Sequence, residues 1–398
     1  MKDTETEILV VGAGPAGLIA AREAAQKGVE VTILEEHAAI GRPCHCAGLL
    51  SLKGLTTIGI PSRGQFIQNR VKGARFFSPS GLSFTVERDQ PVACVVDRCL
   101  LDSFLAQQAE DAGARICLNA RVNDVKREGS RVTAYTGKTR NAAELLIDAE
   151  GVSSRIVRIF GLKPLNFEGV LPGLQHDITG VHVDPNYVEV HVGRKRAPGF
   201  FAWVIPLKED SARIGLACKD GNPKDLLEKF INNRFPGETG LERFATRSGM
   251  VVTCGPIERT FDDRVMIVGD AAGHVKPTTG GGVILGGVCA SIAGEVAAEA
   301  IKRRKFSAEF LQRYERLWKI KLGKEFKTGL LARKLMNNLS DKAIDKLFRL
   351  VIEENLQTLI SVEGDMDFQS NVLMKLLKKK KVLRMLPSLL TALSPFKN

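Results

Sequence analysis

The spacing of hydrophobic positions changes along this chain, and each change marks a different kind of element. Residues 8–11 form a short continuous apolar run, which predicts a buried strand. Residues 15–27 carry apolar positions at helical spacing and close on Gly28, and 30–34 predict a second strand, so the chain opens as a compact βαβ unit. Helical periodicity returns over 96–113 through Leu100, Leu101, Phe104, Leu105 and Ala109. Strand-like runs follow at 115–118, 122–126, 131–135 and 144–147. From about 170 to 253 the pattern alternates as in an antiparallel sheet, for example over 187–192, 200–205 and 212–217. A strand and a Gly-rich turn recur at 264–282, a helix is expected from about 283 to 302, and everything after Phe306 reads as helix. The fold class expected is α/β. One discontinuous domain (1–165 and 255–305) receives an inserted antiparallel sheet (166–254), to which part of 60–95 is a candidate addition. A C-terminal helical region covers 306–398.

Composition narrows the class. The 398 residues suffice for two or three domains, and 44% hydrophobic with 26% charged is ordinary globular usage. Residues 1–6 are polar and the 8–11 run is too short for a secretory signal; no uninterrupted apolar stretch reaches the ~18 residues of a membrane span. The eight cysteines lack framework spacing, which predicts reduced thiols in a cytoplasmic protein. Charge is informative once located. Residues 301–398 hold 22 Lys/Arg against 10 Asp/Glu, and the net +12 of the chain lies entirely there. Lys375, the run Lys378–Lys381 and Arg384 alternate with Val372, Leu373, Leu376, Leu377, Val382, Leu383 and Leu386; Pro387, Leu389, Leu390 and Leu393 follow. That pattern suits a helix lying in an anionic headgroup layer, peripheral at the inner face of a membrane; a solvated helix packing its leucines on the protein is the alternative. Nucleic acid is not expected, since there is no reader motif or aromatic platform.

Two segments carry the chemistry. The first is Val10-Val11-Gly12-Ala13-Gly14-Pro15-Ala16-Gly17. Gly12 permits a tight turn, Gly14 a close approach to pyrophosphate, and Gly17 close helix–strand packing, while the helix start aims free N–H groups at phosphate. Glu35, beside Glu36, ends the second strand at the spacing where a carboxylate accepts a ribose hydroxyl. This is a Rossmann-type dinucleotide site; a tight turn with a surface Glu is the structural alternative. The second segment is Val268-Gly269-Asp270-Ala271-Ala272-Gly273, with Pro277-Thr278-Thr279-Gly280-Gly281-Gly282-Val283 behind it. Asp270 is placed to accept from a polyol hydroxyl, the glycines to let main chain lie against a planar ring, and the helix start to favour negative charge. A structural turn is again the alternative. Together the segments predict one long cofactor, FAD.

Here a family resemblance enters. The chain resembles the geranylgeranyl reductase family, within the flavoproteins that share the hydroxybenzoate-hydroxylase fold, over roughly its first 300 residues. Arg98-Cys99-Leu100-Leu101-Asp102 is similar to that group's helix whose arginine contacts the cofactor, and Ile147–Ser154 to its Asp-Gly segment, with Glu150 in place of the usual Asp. Pro43-Cys44-His45-Cys46-Ala47-Gly48 resembles the Pro-x-x-Cys-x-Gly loop beside the flavin. Phe201-Ala202-Trp203-Val204-Ile205-Pro206 resembles the Tyr-x-Trp-x-Phe-Pro strand, with Phe for Tyr, Ile for Phe, and Ala217 where a second Gly is usual after Gly215. The same strand is similar to the Trp-x-Trp-x-Ile-Pro of flavin-dependent halogenases, but the first Trp is Phe201 and no Gly-Glu-Ser loop is found. Aromatic hydroxylases of the group carry His straight after Asp-Ala-Ala, where this chain has Gly273, then His274.

The resemblance implies an FAD-dependent oxidoreductase that saturates C=C bonds of geranylgeranyl chains in archaeal-type ether lipids, hydride coming from reduced flavin N5 together with a proton. Its implied cofactor contacts are Gly12, Ala13, Gly14, Ala16, Gly17, Glu35, Glu36, Cys46, Ala47, Gly48, Arg98, Val122, Gly269, Asp270, Gly280, Gly281, Gly282 and Val283. Phe201, Trp203 and Pro206 are expected to line the lipid channel, and Cys46 is the candidate catalytic residue, a small buried filler being the alternative. The electron donor is NADPH or ferredoxin, and no metal site is expected. His176, His182 and His191 read as structural. A flavin monooxygenase or halogenase, and a membrane-docked electron carrier, are the competing readings.

Overall fold

The computed structural model describes residues 3–238, 240–379, 381 and 382. Lys380 and the tail residues Leu383, Arg384, Leu386, Pro387, Leu389, Leu390 and Leu393 lie outside the described residues.

The first apolar runs build a sheet whose strands lie in the order Phe261–Asp262, Val265–Ile267, Thr139–Asp148, Thr4–Val11, Val31–Leu34, Arg115–Cys117; Arg131–Thr136 and Asp124–Glu128 extend it from Thr139–Asp148. Its central pairs are parallel. All of Val31–Leu34 is buried, as expected of a parallel strand covered by helices on both faces. Helices Pro15–Ala25, Arg98–Asp111 and Val283–Arg303 pack with these strands into one core. Contact between Pro15–Ala25 and Val283–Arg303 is close because Gly294 has no side chain: a Cβ there would lie 2.4 Å from the Ala20 carbonyl oxygen. Val283–Arg303 is long and apolar enough to cross a membrane, but 72% of its apolar window is buried inside the protein, so it serves as a core helix.

The alternating region folds as a second sheet, in the order Glu242–Val252, Val170–Thr179, Ser211–Ala217, Phe201–Lys208, Tyr187–Val192, Gly73–Phe77, Ser83–Glu87. Its last two strands come from the segment before the insertion, and Gly73–Phe77 pairs parallel to Tyr187–Val192. One element there departs from the alternating pattern. Pro223–Arg234 is a helix, capped by Asn222 through Lys224 N–H, and it buries Leu227, Phe230 and Ile231 against the sheet. A small sheet of Leu49–Ser51, Ala93–Val96 and Ile67–Val71 carries chain between the two large ones.

The C-terminal helices are Ala308–Asn338, Asp341–Glu353, Leu356–Glu363 and Ser370–Leu377. The first is fixed to the core by Tyr314, whose hydroxyl donates to Ile267 O at 2.8 Å, and by Trp318, whose indole N–H donates to Thr260 Oγ1 at 3.0 Å. Phe348 of the second meets Phe84 of the antiparallel sheet at 5.0 Å between ring centres. In the described part of the basic tail, Leu376 and Leu377 pack with Leu350, Leu356 and Val382.

Candidate active site

The three glycines of the first segment answer to different neighbours. Gly12 has φ +99°, and a Cβ there would sit 2.4 Å from Ala149 O; a Cβ on Gly17 would sit 2.0 Å from Gly12 O. Both are required by the fold itself. Around Gly14 a Cβ would meet nothing within 4 Å, and Gly14 lines the cavity as the N-cap of Pro15–Ala25, offering no side-chain cap. The helix start is therefore left with free N–H groups beside open space, which is what an anion requires. Glu35 is buried at the edge of this space, its carboxylate accepting from Ala13 N at 2.8 Å and from His37 N at 2.9 Å. Glu36 and Val122 line the same end, and Glu36 pairs with Arg121 at 3.3 Å. Ala16 faces Gly269, where a Cβ would lie 2.8 Å from the alanine methyl.

Beside Gly269, in the same cavity, stands Asp270. Burial raises its pKa, opposed by the positive charge of Arg98. Among the described residues its carboxylate accepts no hydrogen bond, so a desolvated acceptor faces the cavity without a donor. The Arg98 guanidinium is itself buried; desolvation opposes its charge, but Asp102, bonded at 2.9 Å through both Nε and Nη2, prevails and raises its pKa, and it also adjoins the Cys46 thiol. The glycines of the second turn prove to be needed by the protein's own packing. A Cβ on Gly280 would reach Val251 at 2.2 Å, on Gly281 the Lys276 stem at 2.7 Å, and on Gly282 Asp270 Oδ1 at 2.7 Å. Val283 then opens its helix with no side-chain cap at Gly282.

Cys46 lies on a loop held by residues that sequence reading did not single out. Arg213 donates to Ala47 O at 2.8 Å and is gripped by buried Asp177 at 2.7 and 3.1 Å, with Arg247 on the same carboxylate at 2.7 Å. Burial pushes the Asp177 carboxyl up, but the two arginines outweigh it and the net shift is downward. Gln175 donates to His45 O at 3.1 Å, and the Cys46 sulfur accepts from Gly48 N at 3.3 Å. A Cβ on Gly48 would lie 2.5 Å from Val96 O. These partners come from strands more than a hundred residues downstream, which is why no local pattern announced them.

Phe201 and Trp203 line the cavity wall, with rings 6.1 Å apart edge to face. Gly215, opposite Trp203 in the ladder, leaves room for the indole, since a Cβ there would lie 2.6 Å from it. Pro206 does not line the cavity. Strand alternation places Ile205 there, in phase with Phe201 and Trp203, and puts Pro206 in phase with Ala202 and Val204. Glu150 turns inward: Ile156 N–H and Ser153 Oγ donate to its carboxylate, so it fixes the Arg155–Ile159 helix. His191 is stacked on Phe77 at 4.4 Å and bonded to Glu189 at 2.8 Å; His176 meets Thr246 at 2.9 Å, and His182 is exposed. His274 is buried against Tyr314, Trp318 and Phe326, and burial pushes its pKa down to about 3, so it is a neutral packing group.

The two glycine segments, the Cys46 loop and the Phe201–Trp203 face border one cavity of about 1890 Å³. Small-molecule sites usually occupy ~300–1,000 Å³, so there is room for a cofactor and a second molecule. Beyond Trp203 the cavity continues between the antiparallel sheet and the C-terminal helices, past Val190, Val192, Met336, Leu339, Ile344 and Phe348. Residues 365–369 close over the glycine turn, where Lys276 donates to Asp367 at 2.8 Å and Thr278 to Gln369 at 2.7 Å.

Comparison with known proteins agrees with this geometry. The profile of the FAD binding domain family matches residues 5–287. Digeranylgeranylglycerophospholipid reductase 2 of Methanothermobacter thermautotrophicus is 36% identical over 372 residues, covering 89% of this chain and 94% of the relative. Digeranylgeranylglycerophospholipid reductase of Methanocaldococcus jannaschii is 34% identical over 357 residues, covering 86% and 89%. A crystal structure of a geranylgeranyl bacteriochlorophyll reductase-like protein from Thermoplasma acidophilum superposes with a TM-score of 0.86 at 29% identity, over 97% of this chain and 99% of that one. The flavin-dependent brominase Bmp2 reaches a TM-score of 0.70 at 17% identity, a likeness of fold alone. FAD suits the residues present: an uncapped helix start with clear space at Gly14 for a pyrophosphate, and an unpartnered carboxylate at Asp270 for a polyol hydroxyl.

Proposed function

This chain belongs to the FAD binding domain family and, within it, to the family of the digeranylgeranylglycerophospholipid reductases; from that premise we propose that it saturates C=C bonds in the geranylgeranyl chains of archaeal-type ether lipids. The observation that carries the reading is the single cavity, which joins a dinucleotide cradle at Gly12–Gly17 to an apolar passage walled by Phe201 and Trp203. The cradle, Glu35, Arg98 and Asp270 would hold FAD, which in its reduced form would supply hydride to an alkene carbon. The chain's residues do the rest. The passage excludes water and accepts a hydrocarbon, and the ring faces of Phe201 and Trp203 suit positive charge developing at a branched carbon. Cys46 is the residue we place beside the reacting carbons, its thiol delivering or steering the proton, with Arg213 and Asp177 as positioning residues that hold its loop.

The test is to reduce the purified holoprotein without oxygen, add unsaturated ether lipid, and follow lipid mass. Increments of two hydrogens are expected. Cys46→Ala is expected to keep its flavin and to slow the increments by about tenfold or more, as loss of a proton-transfer group does. Unchanged mass with the flavin still reduced contradicts the function, and an unchanged rate in the variant removes Cys46 from it.

The lipid substrate also bears on location, and we place the protein peripherally at the inner face of the membrane. Support comes from Lys378 and Lys379, exposed at the end of Ser370–Leu377, beside Leu376, which lines the cavity. Leu376, Leu377 and Val382 of this segment pack on other helices, so we assign its contribution at a headgroup layer mainly to its ammonium groups.

A further inference from the structure

The Ala308–Asn338 helix carries a cation for which the chemistry above has no use. Arg333 is 9% exposed and lines the cavity. Its guanidinium lies over the Phe200 ring at 4.7 Å and donates from Nη2 to Gly199 O, while its Nε is buried without a partner. The other buried cations of the cavity wall have carboxylates of their own: Arg98 with Asp102, Lys276 with Asp367. Among the described residues Arg333 has none, and burial pushes its pKa down to about 10. A ring face and one carbonyl do not offset the cost of taking a charge out of water, so such a group persists where something else supplies the anion.

A second guanidinium borders the same space. Arg194 lies on the loop joining Tyr187–Val192 to Phe201–Lys208 and lines the cavity. It donates from Nε to Leu339 O at 3.0 Å and from Nη2 to Asn337 O at 3.4 Å, about one helical turn beyond Arg333. Asp341 accepts from the Arg194 backbone N–H at 2.8 Å, and among the described residues no carboxylate pairs with its guanidinium. Met336 and Leu339 line the cavity alongside them. A ligand for this place therefore needs an anionic end on an apolar body. The flavin cofactor's pyrophosphate is served at Gly14, at the start of a different helix.

We propose that Arg333, with Arg194 at the rim, forms the subsite for the phosphate of the polyprenyl lipid, so that its chain runs from the C-terminal helices toward Trp203. The inference rests on the reductase reading and deepens it. Planar guanidinium forks match phosphoryl oxygens, and Arg333 already lies over the Phe200 ring.

The test compares two substrates on the holoprotein, a polyprenyl glyceryl ether bearing phosphate and the same ether as its free alcohol. The wild-type protein is expected to favour the phosphate form in kcat/KM by on the order of 30-fold, the worth of one charge-assisted pairing, expressed mainly in KM. In Arg333→Met that ratio is expected to fall toward unity, with flavin content retained and the lipid-free thermal midpoint unchanged or raised, because an unpaired buried charge has gone. Arg333→Lys, which keeps the charge without the fork, should fall between. Equal use of both lipids by the wild-type protein overturns the proposal even if the variant does not fold, as does equal slowing of both by Arg333→Met or loss of its flavin. Inorganic phosphate that erases the preference at the lipid's own concentration also overturns it, by assigning the site to free anion. If neither lipid is reduced, it is the reductase reading that fails.

Discussion

Gly14 and Gly17 look alike in the sequence and differ in what they answer to. The Gly17 contact lies within the protein, and the space at Gly14 is kept for something not made of protein. Gly14→Ala is therefore expected to change the stability of the cofactor-free protein by less than ~1 kcal/mol, the usual range for an unhindered substitution, while weakening FAD binding by tenfold or more. Flavin titration alongside thermal unfolding checks this; a variant that binds FAD normally, or unfolds before any FAD is added, contradicts it. The sequence motif gives each glycine its own reason, and the surroundings of Gly14 and Gly17 divide in the same way. Asp270 was legible because it sits between an apolar strand and a glycine turn. Arg213, Asp177 and Arg333 were not, because a buried Arg has no local signature and becomes informative only when its partners, or their absence, are seen in three dimensions.

At the scale of elements, periodicity read well wherever one face of an element is buried. The helices Pro15–Ala25 and Arg98–Asp111 and the strands of the antiparallel sheet follow from spacings of 3.6 and 2, and the first strand from an unbroken apolar run. Pro223–Arg234 escaped, since its apolar stripe is only Leu227, Phe230 and Ile231 in a polar stretch between strands. Pro206 was misplaced by carrying a motif over without applying the alternation of its own strand. The C-terminal helices were legible as helices, but an amphipathic stripe does not say whether lipid or protein will cover it. Here Leu376, Leu377 and Val382 are covered by protein, which leaves the exposed lysines as the groups we propose for a membrane contact. Replacing Lys378 and Lys379 together by Gln is expected to weaken binding to anionic vesicles by about 30-fold at low salt, at ~1 kcal/mol per lysine, without changing turnover of detergent-dispersed lipid. Sedimentation with vesicles measures it, and undiminished binding would place the contact elsewhere.

For the whole molecule, the decisive arrangement is the meeting of the two sheets under the C-terminal helices. Neither sheet makes the cavity alone: the parallel sheet brings Gly12–Gly17, Glu35 and Asp270, the antiparallel sheet brings Phe201, Trp203 and Arg247, and the C-terminal helical region brings Arg333, Met336 and Leu339. Most of the cofactor end could be read from one segment at a time. The passage could not, because its walls, from Val190 to Phe348, lie up to 158 residues apart in sequence and meet only in the folded chain. The account stands on reduced flavin and an isoprenoid chain sharing that space. Its most direct test is spectroscopic: reduce the holoprotein under anaerobic conditions, add the unsaturated ether lipid in a stopped-flow cell, and watch the flavin band. The account predicts reoxidation by lipid alone, saturating with lipid concentration and absent with the fully saturated lipid. A flavin that stays reduced until oxygen is admitted would contradict it.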